Sequence, residues 1–529
     1  MTVATVLAPA LAGGVAAAAL VLAGCTVDPD TDTNARHHST PTARTSSRPA
    51  GTGVTGPGPP VTRPEWTRPG TTEWRADRPA EHQEIQGFTT RAGAPPGTPL
   101  VLKVSTAARS FRAGAYRIGA YRGGTSRLVW RSGWVAGTVQ PQPRFAAYRT
   151  RTIEAPWRTS LIADTYGWPP GFYVLRLTTR SGTDFQVPYV VSSRSSAGTV
   201  VLGVPVLTWQ AYNLWGGYSL YASLSGDQRA HAVSFDRPYF GVNGFNDFRT
   251  SVVPLVVRSE ATHVPLSYVA NVQLDRRPGL LAGARAYVSL GHDEYWTPGI
   301  RRAVQRARAR GTNLAFLGAN TAYWRVRLGR TGTGPDRLVV GYRSDAVADP
   351  ALDTSPAEAT ARFRDPPAAH PENSLTGMLY ECYPADADYT VVSPRWWGFR
   401  GTGVRAGSSF PMLVGNEADR VYPGPASPRR LQVLSHAPYV CRGVPTTSQS
   451  VWFTTASGAG VFTAGTLRWG CAVWDVCDKP LGRRTQEFVR RVTANVLHGL
   501  ARGPAGRLHP ARPNVGAFDL PRTNSVPAS

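Results

Sequence analysis

The stretch that decides the fold is AYVSLGHDEYWTPGIRRAVQRARARGTNLAFL, residues 286–317. It begins and ends with short apolar runs, residues 286–290 and 314–317, that are typical of buried strands. Between them a helix pattern starts, with Thr297 as its cap and Pro298 in its first turn. Strand, turn, helix and strand in about 32 residues form a βαβ unit. The stretch therefore predicts an α/β domain with a largely parallel sheet.

Polar and aromatic residues follow three of the predicted strands. They are residues 291–296 (GHDEYW), residues 208–217 (TWQAYNLWGG) and residues 318–324 (GANTAYW). In open α/β sheets, ligands bind beyond the carboxyl ends of the strands. Because the three clusters would meet at one edge of the sheet, the sequence predicts a site there.

The turn at residues 291–296 has the strand-to-helix form that places a nucleophile in α/β hydrolases. It contains no Ser or Cys, so Ser-His-Asp or Cys-His chemistry is not expected at this point. Asp293 and Glu294 could simply stabilise the helix N-terminus. However, His292, Tyr295 and Trp296 add more than that role needs, which favours a functional turn.

The rest of the chain divides by composition. We predict a lipoprotein signal peptide at residues 1–25, a disordered Pro/Thr/Gly-rich tether at 26–84, an immunoglobulin-like β-sandwich at 85–195, an amidotransferase- or flavodoxin-like α/β domain at 198–503, and a polar tail at 504–529. The signal ends in a lipobox-like Leu-Ala-Gly-Cys, in which Cys25 would be acylated. The alternative is an ordinary cleaved signal peptide. Either way, export is expected, and with acylation the protein would sit on the outer face of the cell membrane.

The net charge of +24 does not indicate nucleic-acid binding. All but two of the 58 basic residues are arginines, and they are spread along the whole chain. Tracking phosphates needs a clustered basic face. Weak attraction to a membrane surface or another anionic polymer remains physically reasonable.

Four cysteines remain after Cys25, and an even number in an oxidising compartment indicates two disulfides. Sequence alone does not fix the pairing, and our first choice is Cys471–Cys477 together with Cys382–Cys441. A zinc site is a poor alternative, because no C-x-x-C or His-x-His spacing accompanies these cysteines.

Several motifs resemble the C-terminal domain of the N,N-dimethylformamidase large (beta) subunit. They are QAYN at 210–213, WGG at 215–217, GHDEYW at 291–296, LGANTAYW at 317–324, VGNE at 414–417 and FTAGTLRW at 462–469. The resemblance implies a mononuclear Fe(III) site held by two tyrosines and a glutamate, which hydrolyses an amide without a protein nucleophile. Carried over, it gives Glu294 as the carboxylate ligand, Tyr212 as one phenolate and Tyr173, on a short strand match, as the other.

The same resemblance implies roles for further residues. Glu417 matches an acidic residue next to the metal ligands and is the candidate general base. With His292 and Arg343 it forms the candidate catalytic set. Arg343 stands in residues 338–344, where the family enzyme has a lysine, and an arginine cannot lose its proton to act as a base. The candidates for contact with a small amide substrate are Asn213, Trp296, Asn320 and Tyr323.

Two functions remain open from the sequence. The first is a metal-dependent hydrolase of a non-peptide C–N amide bond. The second is a non-catalytic cell-surface lipoprotein that binds a carbohydrate or another envelope component through Trp209, Trp215, Trp296 and Trp324. Dinucleotide binding is not expected, because no G-x-G-x-x-G follows a strand. The sequence leaves open the oligomeric state, the substrate and any partner chain.

Overall fold

The computed structural model describes residues 64–81, 83–226, 228–240, 247–367 and 369–522. The predicted signal peptide, with Cys25, and most of the predicted tether lie outside these residues. The described chain is a mixed α/β structure, which confirms the predicted class. None of its described helices is long and apolar enough to cross a membrane.

The N-terminal part is built of strands, most of which pair antiparallel. They are β1 (Ile85–Thr89), β2 (Gly93–Ala94), β3 (Leu100–Thr106), β4 (Ser110–Tyr121), β5 (Gly124–Arg131), β6 (Val135–Ala136), β7 (Arg144–Ala147), β8 (Thr152–Glu154), β9 (Leu161–Ala163), β10 (Gly171–Thr179) and β11 (Asp184–Val191). One sheet has the order β2-β11-β10-β4-β5, in which β2 pairs in parallel with β11, and a second has the order β1-β3-β9. Ile85 and Leu102 of the second sheet share a core with Leu175 and Val187 of the first. The finer assignment of this pair of sheets as immunoglobulin-like stays a prediction.

The α/β part starts with β12. Its first elements are β12 (Val200–Val204), α1 (Val206–Tyr212), β13 (Ala232–Ser234), α2 (Val253–Glu260), β14 (Leu266–Ala270), α3 (Gln273–Arg276), β15 (Ala286–Leu290), β16 (Tyr295–Trp296), α4 (Pro298–Ala309), β17 (Asn313–Leu317), β18 (Trp324–Arg325), β19 (Arg327–Thr331) and β20 (Gly334–Val340). β15, α4 and β17 are the predicted βαβ unit, and the two strands pair in parallel. The Thr297 hydroxyl accepts the Ile300 N–H at 3.1 Å, so the predicted cap of α4 is present.

The remainder of the chain completes the sheet and covers it. Its elements are α5 (Ala351–Thr354), α6 (Asn373–Thr376), β21 (Leu379–Thr390), β22 (Ser409–Arg420), β23 (Leu431–Cys441), β24 (Val444–Thr454), β25 (Gly460–Thr463), α7 (Arg468–Ala472), α8 (Gly482–Ala501) and α9 (Ala505–Leu508). Short 3-10 turns lie at Glu65–Thr67, Trp215–Gly217, Pro278–Leu281, Arg343–Ala348, Pro356–Glu358, Trp397–Phe399 and Val515–Ala517, and a π-helical turn lies at Phe248–Val252.

The main sheet, within the described residues, has the order β14-β12-β15-β17-β25-β24-β23. The strands from β14 to β25 pair in parallel, and β24 and β23 extend them antiparallel. In chain order the parallel strands stand second, first, third, fourth and fifth, so the order reverses between β12 and β15. A reversal of this kind opens a crevice at the carboxyl ends of the two strands, where ligands of α/β proteins bind.

The β-sandwich part and the α/β part belong to one compact unit. Arg117 on β4 donates two hydrogen bonds to Glu260 at the end of α2, at 2.5 and 3.1 Å, and both side chains are buried. Phe172 on β10 packs against Trp209 on α1, with ring centroids 6.0 Å apart. The face of β10 that carries Phe172 therefore contributes to the core of the α/β part.

The ends of the described chain are more ordered than the sequence predicts. Residues 64–81 lie against β4 and β5, where Trp74 is 3% exposed and its ring N–H donates to Thr125 at 3.1 Å. Asn514 accepts the main-chain N–H of Val433 at 2.7 Å, and Leu520 is buried. The predicted tether and the predicted tail therefore both include residues that pack against the folded part of the chain. The composition of both stretches is polar, but a few apolar side chains within them are stabilised by burial.

Candidate active site

A carboxylate and two phenols meet at the reversal of the strand order. Glu294 follows β15, and Tyr212 ends α1, the helix that follows β12. The Tyr212 hydroxyl donates to the Glu294 carboxylate at 2.9 Å. The Tyr221 hydroxyl lies 2.6 and 2.8 Å from its two oxygens. The structure therefore brings together two of the three predicted metal ligands and adds a tyrosine that the sequence analysis missed.

Tyr221 reaches the site because the chain turns back over α1. Gly216 and Gly217 have φ angles of +76° and +96°, a region that glycine occupies without strain. Leu220 N–H then donates to the Ala211 carbonyl at 2.9 Å. The Tyr221 ring stacks on the Tyr212 ring, with centroids 4.1 Å apart. The glycine pair after Tyr212 was the only sequence signal of this return.

Tyr173, predicted as the second phenolate, lies elsewhere. Its hydroxyl donates to the Pro169 carbonyl at 2.7 Å, and its ring stacks on Trp168. Neighbouring side chains of a strand point to opposite faces. On β10, Phe172 faces the α/β part, and Tyr173 therefore faces the core of the sandwich. The assignment of Tyr173 disagrees with the structure, and Tyr221 occupies the position expected of it.

His292 lies between two acids. Its Nε2 atom is 3.1 Å from Glu417 on β22 and 3.5 Å from Glu294. Burial lowers the pKa of His292, but the charges of Glu417, Glu294 and Asp247 outweigh burial and raise it to about 10. The neighbouring carboxylates therefore favour the protonated form of the imidazole. The predicted pair of His292 and Glu417 is in contact and beside the phenols.

The Glu294 side chain is buried, and Tyr212 and Tyr221 are partly buried beside it. Burial, together with the charge of Glu417, raises the pKa of Glu294, although His292 and Arg343 oppose this. Burial and then the charge of Glu294 raise the pKa of both Tyr212 and Tyr221 well above 10. In the protein by itself both phenols thus stay protonated and donate hydrogen bonds to the carboxylate.

Arg343 supplies a fixed positive charge. Its guanidinium lies 3.6 Å from the ring centroid of Tyr221 and 4.8 Å from that of Trp324. It donates to the Leu220 carbonyl at 2.6 Å. Burial would lower the pKa of Arg343, but the neighbouring acids and phenols raise it. Arg343 holds the Tyr221 segment in place and remains charged.

The turn that carries Glu294 is held from several sides. Thr208 accepts the main-chain N–H groups of Glu294 and Tyr295 at 3.0 and 3.2 Å. The Asp293 carboxylate turns inward and accepts from Asn271 and Ser289, both at 2.8 Å. Asp293 thus stabilises the turn, while Glu294 points into the site.

A cavity of about 790 Å³ opens in front of these residues. Its lining includes Tyr212, Tyr221, Asp247, Thr250, Ser251, His292, Glu294, Asn320, Tyr323, Trp324, Arg343, Tyr380, Tyr383, Asn416, Glu417, Leu467, Arg468, Cys471, Val476, Cys477 and Asp478. Asn320, Arg343 and Asn416 have positive φ angles of 55–59°. This backbone conformation is strained for residues other than glycine, and strained residues cluster at functional sites. The backbone conformation around the cavity therefore lowers the stability of the fold at these three residues.

The predicted substrate contacts divide into two pairs. Asn320 and Tyr323 line the cavity. Asn213 instead is tied to Gln210 and Pro238, and Trp296 is fully buried in the core. Both lie outside the described lining, so their assignment as substrate contacts does not agree with the structure. Aromatic and amide side chains next to a motif can equally serve its packing.

Both disulfides form with the predicted pairing, Cys382–Cys441 and Cys471–Cys477. Cys471 and Cys477 line the cavity. Cys382 lies on β21, the strand that pairs with the strand of Glu417. The two bonds therefore brace walls of the same cavity.

The donor set fits a hard cation. Among the described residues, no group of three His, Cys, Asp or Glu side chains is placed to hold a metal ion, so a site of carboxylates and imidazoles alone is not indicated. A glutamate and two phenols instead converge within hydrogen-bonding distance. On ionisation these three oxygens would carry three negative charges, which suits a trivalent ion such as Fe(III).

Fold and site together define an α/β protein with a carboxylate–phenol centre at the point where its parallel strand order reverses. A family model described as N,N-dimethylformamidase beta subunit-like, C-terminal, matches residues 112–479, and the chain belongs to this family. The match confirms the resemblance noted in the sequence. It begins in β4 and so includes much of the β-sandwich part. No curated protein matches the chain.

Proposed function

We propose that this protein is a metal-dependent amidohydrolase that cleaves a non-peptide C–N bond with water. The observation that carries the proposal is the convergence of Tyr212, Tyr221 and Glu294 in a domain of the dimethylformamidase family. Family membership supports amide hydrolysis in general, and the substrate and the metal are our inference.

Tyr212, Tyr221 and Glu294 would hold the ion, which we propose to be Fe(III). When bound, such an ion polarises a carbonyl oxygen and makes a water molecule more acidic. To hold the ion, Tyr212 and Tyr221 would each release the phenol proton to solvent. Their hydrogen bonds already point both hydroxyl oxygens at the Glu294 carboxylate.

Glu417 and His292 are placed to move protons. The Glu417 carboxylate lies at the cavity surface, in contact with His292 at 3.1 Å. Glu417 would take a proton from the attacking water, and His292 would deliver one to the leaving nitrogen. Arg343 cannot replace the family lysine as a base, and its charge would stabilise negative charge in the site.

The alternative of a carbohydrate-binding module has less support. Its argument rested on four tryptophans that would stack on sugars. Trp209 and Trp296 are fully buried, and Trp215 is also buried. Of the four, Trp324 is the one that the described cavity lining includes. A stacking surface of these tryptophans is therefore not available.

We also propose the finer fold and location that the sequence suggested. The order of the parallel strands is the one typical of flavodoxin-like sheets, which supports that assignment. Export and a lipid anchor at Cys25 are supported by the lipobox-like residues 22–25 and by two disulfides, which persist in oxidising compartments.

The proposal is tested by measuring metal content and amine release on the same preparation. We expect close to one iron per chain and release of amine from an amide substrate. Glu294→Ala should lose both, whereas Glu358→Ala, a change at an exposed acid, should keep both. A folded wild-type protein without bound metal or amide hydrolysis would contradict the proposal.

A further inference from the structure

The cavity is much larger than a simple formamide. A water molecule occupies about 30 Å³ in the liquid, and cavities of roughly 300–1,000 Å³ hold drug-sized ligands. The cavity here, of about 790 Å³, belongs to the second class. A dimethylformamide molecule would leave most of it to water, so contacts beyond the amide group are available to a larger substrate.

One side of this space is a wall of tyrosines. We call Tyr323, Tyr380 and Tyr383 the tyrosine wall. The Tyr323 ring meets the Tyr380 ring edge to face, with centroids 5.1 Å apart. Arg364, outside the described lining, lies 5.1 Å from the Tyr323 ring centroid and supports it. Rigid aromatic surfaces of this kind bind flat apolar groups.

The tyrosine wall includes a buried ring beside the proposed reaction centre and a ring that is half exposed to solvent. Tyr323 N–H donates to the Glu294 carbonyl at 2.9 Å, which fixes the inner end beside the carboxylate. Tyr383 is 49% exposed, which marks the outer end. An amide held at Glu294 would therefore place its substituent along these rings.

A polar group at the inner end lacks a partner. The Asn320 side chain is 2% exposed and lines the cavity, and its Oδ1 atom has no hydrogen-bond partner among the described residues. The Asn320 main-chain N–H is fixed by Asp419 at 2.8 Å. A buried acceptor without a partner is costly, so a ligand that donates a hydrogen bond there would be favoured.

Charged side chains of both signs line the cavity, and several already have hydrogen-bonding partners. Arg468 lies 2.6 Å from Asp478, Arg343 donates to a main-chain carbonyl, and Asp247 accepts from Trp209. A charged substituent would lose water and would face charged side chains of both signs. The lining thus favours an uncharged substituent.

We propose that the amide hydrolysed here carries an uncharged aromatic substituent, seated on the tyrosine wall, with a hydrogen-bond donor facing Asn320. The inference rests on the proposed function and names its substrate class. Water adds to the amide carbonyl carbon, the C–N bond breaks, and the nitrogen takes a proton that the water loses. The products are a carboxylic acid and an amine.

The test compares substrates on the full chain. Amine release is measured with N,N-dimethylformamide, with formanilide and N-methylbenzamide as neutral aryl amides, and with 4-carboxyformanilide as a charged analogue. We expect kcat/KM for the better aryl amide to exceed that for dimethylformamide by about 100-fold, from burial of one ring. The charged analogue should fall below formanilide.

Two variants test whether the tyrosine wall and Asn320 cause the preference for aryl amides. Tyr380→Leu should lower kcat/KM for the aryl amide about 10-fold, mainly through KM, and so reduce the preference for the aryl amide over dimethylformamide. Asn320→Gly, which tolerates the positive φ, should also raise KM for the aryl amide. Tyr166→Leu, at a tyrosine that is 84% exposed on the sandwich, is the matched control. Melting temperatures show whether each variant is folded.

The outcomes separate this inference from the proposed function. Efficient hydrolysis of dimethylformamide with no aryl preference would overturn the inference and leave the function standing. Binding of formanilide by calorimetry, lost in Tyr380→Leu but without any hydrolysis, would support the cavity preference and overturn the function. An aryl preference that Tyr380→Leu and Asn320→Gly leave unchanged would overturn the inference.

Discussion

At the scale of single residues, the site depends on positions where the backbone leaves no room. Gly318 follows β17 and packs against Gly291, the first residue of the turn that carries Glu294. A Cβ atom on Gly318 would lie 2.2 Å from the Gly291 carbonyl oxygen. The two glycines let neighbouring strand ends approach, which brings His292 and Glu294 close to Asn320.

Gly318→Ala should therefore destabilise the protein by about 1–3 kcal/mol and reduce amide hydrolysis, because the turn must move. Gly332→Ala is the matched control, since nothing lies within 4 Å of the added atom. Chemical denaturation gives the free energy of unfolding for both. If the two variants have equal free energies of unfolding, the close approach of Gly318 to Gly291 does not contribute to stability.

The residues proposed as metal ligands were only partly predictable from the sequence. Glu294 and Tyr212 were assigned through the family resemblance, and each lies in one of the motifs that carry it. Tyr173 was wrong because its spacing fitted while the face of its strand was unknown. Tyr221 was missed because its position depends on a return of the chain over α1, which local patterns do not encode.

At the scale of elements, the segment of Arg343 is held by one buried acid. Thr360 accepts the Tyr342 N–H at 2.9 Å and its own hydroxyl donates to Asp349 at 2.7 Å. Arg327 pairs with the same carboxylate at 2.7 Å. Burial alone would raise the pKa of Asp349, but the hydrogen bonds from Arg327 and Thr360 lower it to about 2.

Because the folded-state pKa of Asp349 lies below the unfolded value of about 4, its stabilisation is complete above that value and is lost as the pH falls toward about 2. Asp349→Asn should lower the free energy of unfolding by about 2 kcal/mol at neutral pH. The difference in this free energy between the variant and the wild type should become smaller below about pH 4. Asp353→Asn, at an exposed acid on α5, is the control. Urea unfolding as a function of pH measures both, and a difference independent of pH would exclude this role.

The elements themselves were the more predictable part. The βαβ unit at residues 286–317 was expected from its apolar runs and its cap, and it is present with both. The packed residues 64–81 and 504–522 were not expected, because they bury a few side chains such as Trp74 and Leu520 in an otherwise polar composition. Burial of that kind depends on partners far away in the sequence.

At the scale of the whole molecule, the β-sandwich and α/β parts share buried contacts. The Arg117–Glu260 pair joins β4 to α2, and Tyr268 on β14 also donates to Glu260. The family match likewise spans both parts. We expect the described body to unfold as one cooperative unit.

Glu260→Gln should lower the free energy of unfolding by about 3–5 kcal/mol, because it leaves Arg117 buried and without its counter-charge. Glu487→Gln, which removes an exposed partner of Arg483, should leave stability unchanged. Calorimetry measures both and counts transitions. Two separate transitions in the wild type would contradict a single cooperative body.

The central claim is that Tyr212, Tyr221 and Glu294 form one metal centre and that Tyr173 does not belong to it. The most direct test is the visible absorption from phenolate to iron in the purified protein and in three matched Tyr→Phe variants. We expect Tyr212→Phe and Tyr221→Phe each to shift and weaken this band, and Tyr173→Phe to leave it unchanged. A band that survives Tyr221→Phe intact, or that is lost in a folded Tyr173→Phe variant, would contradict the account.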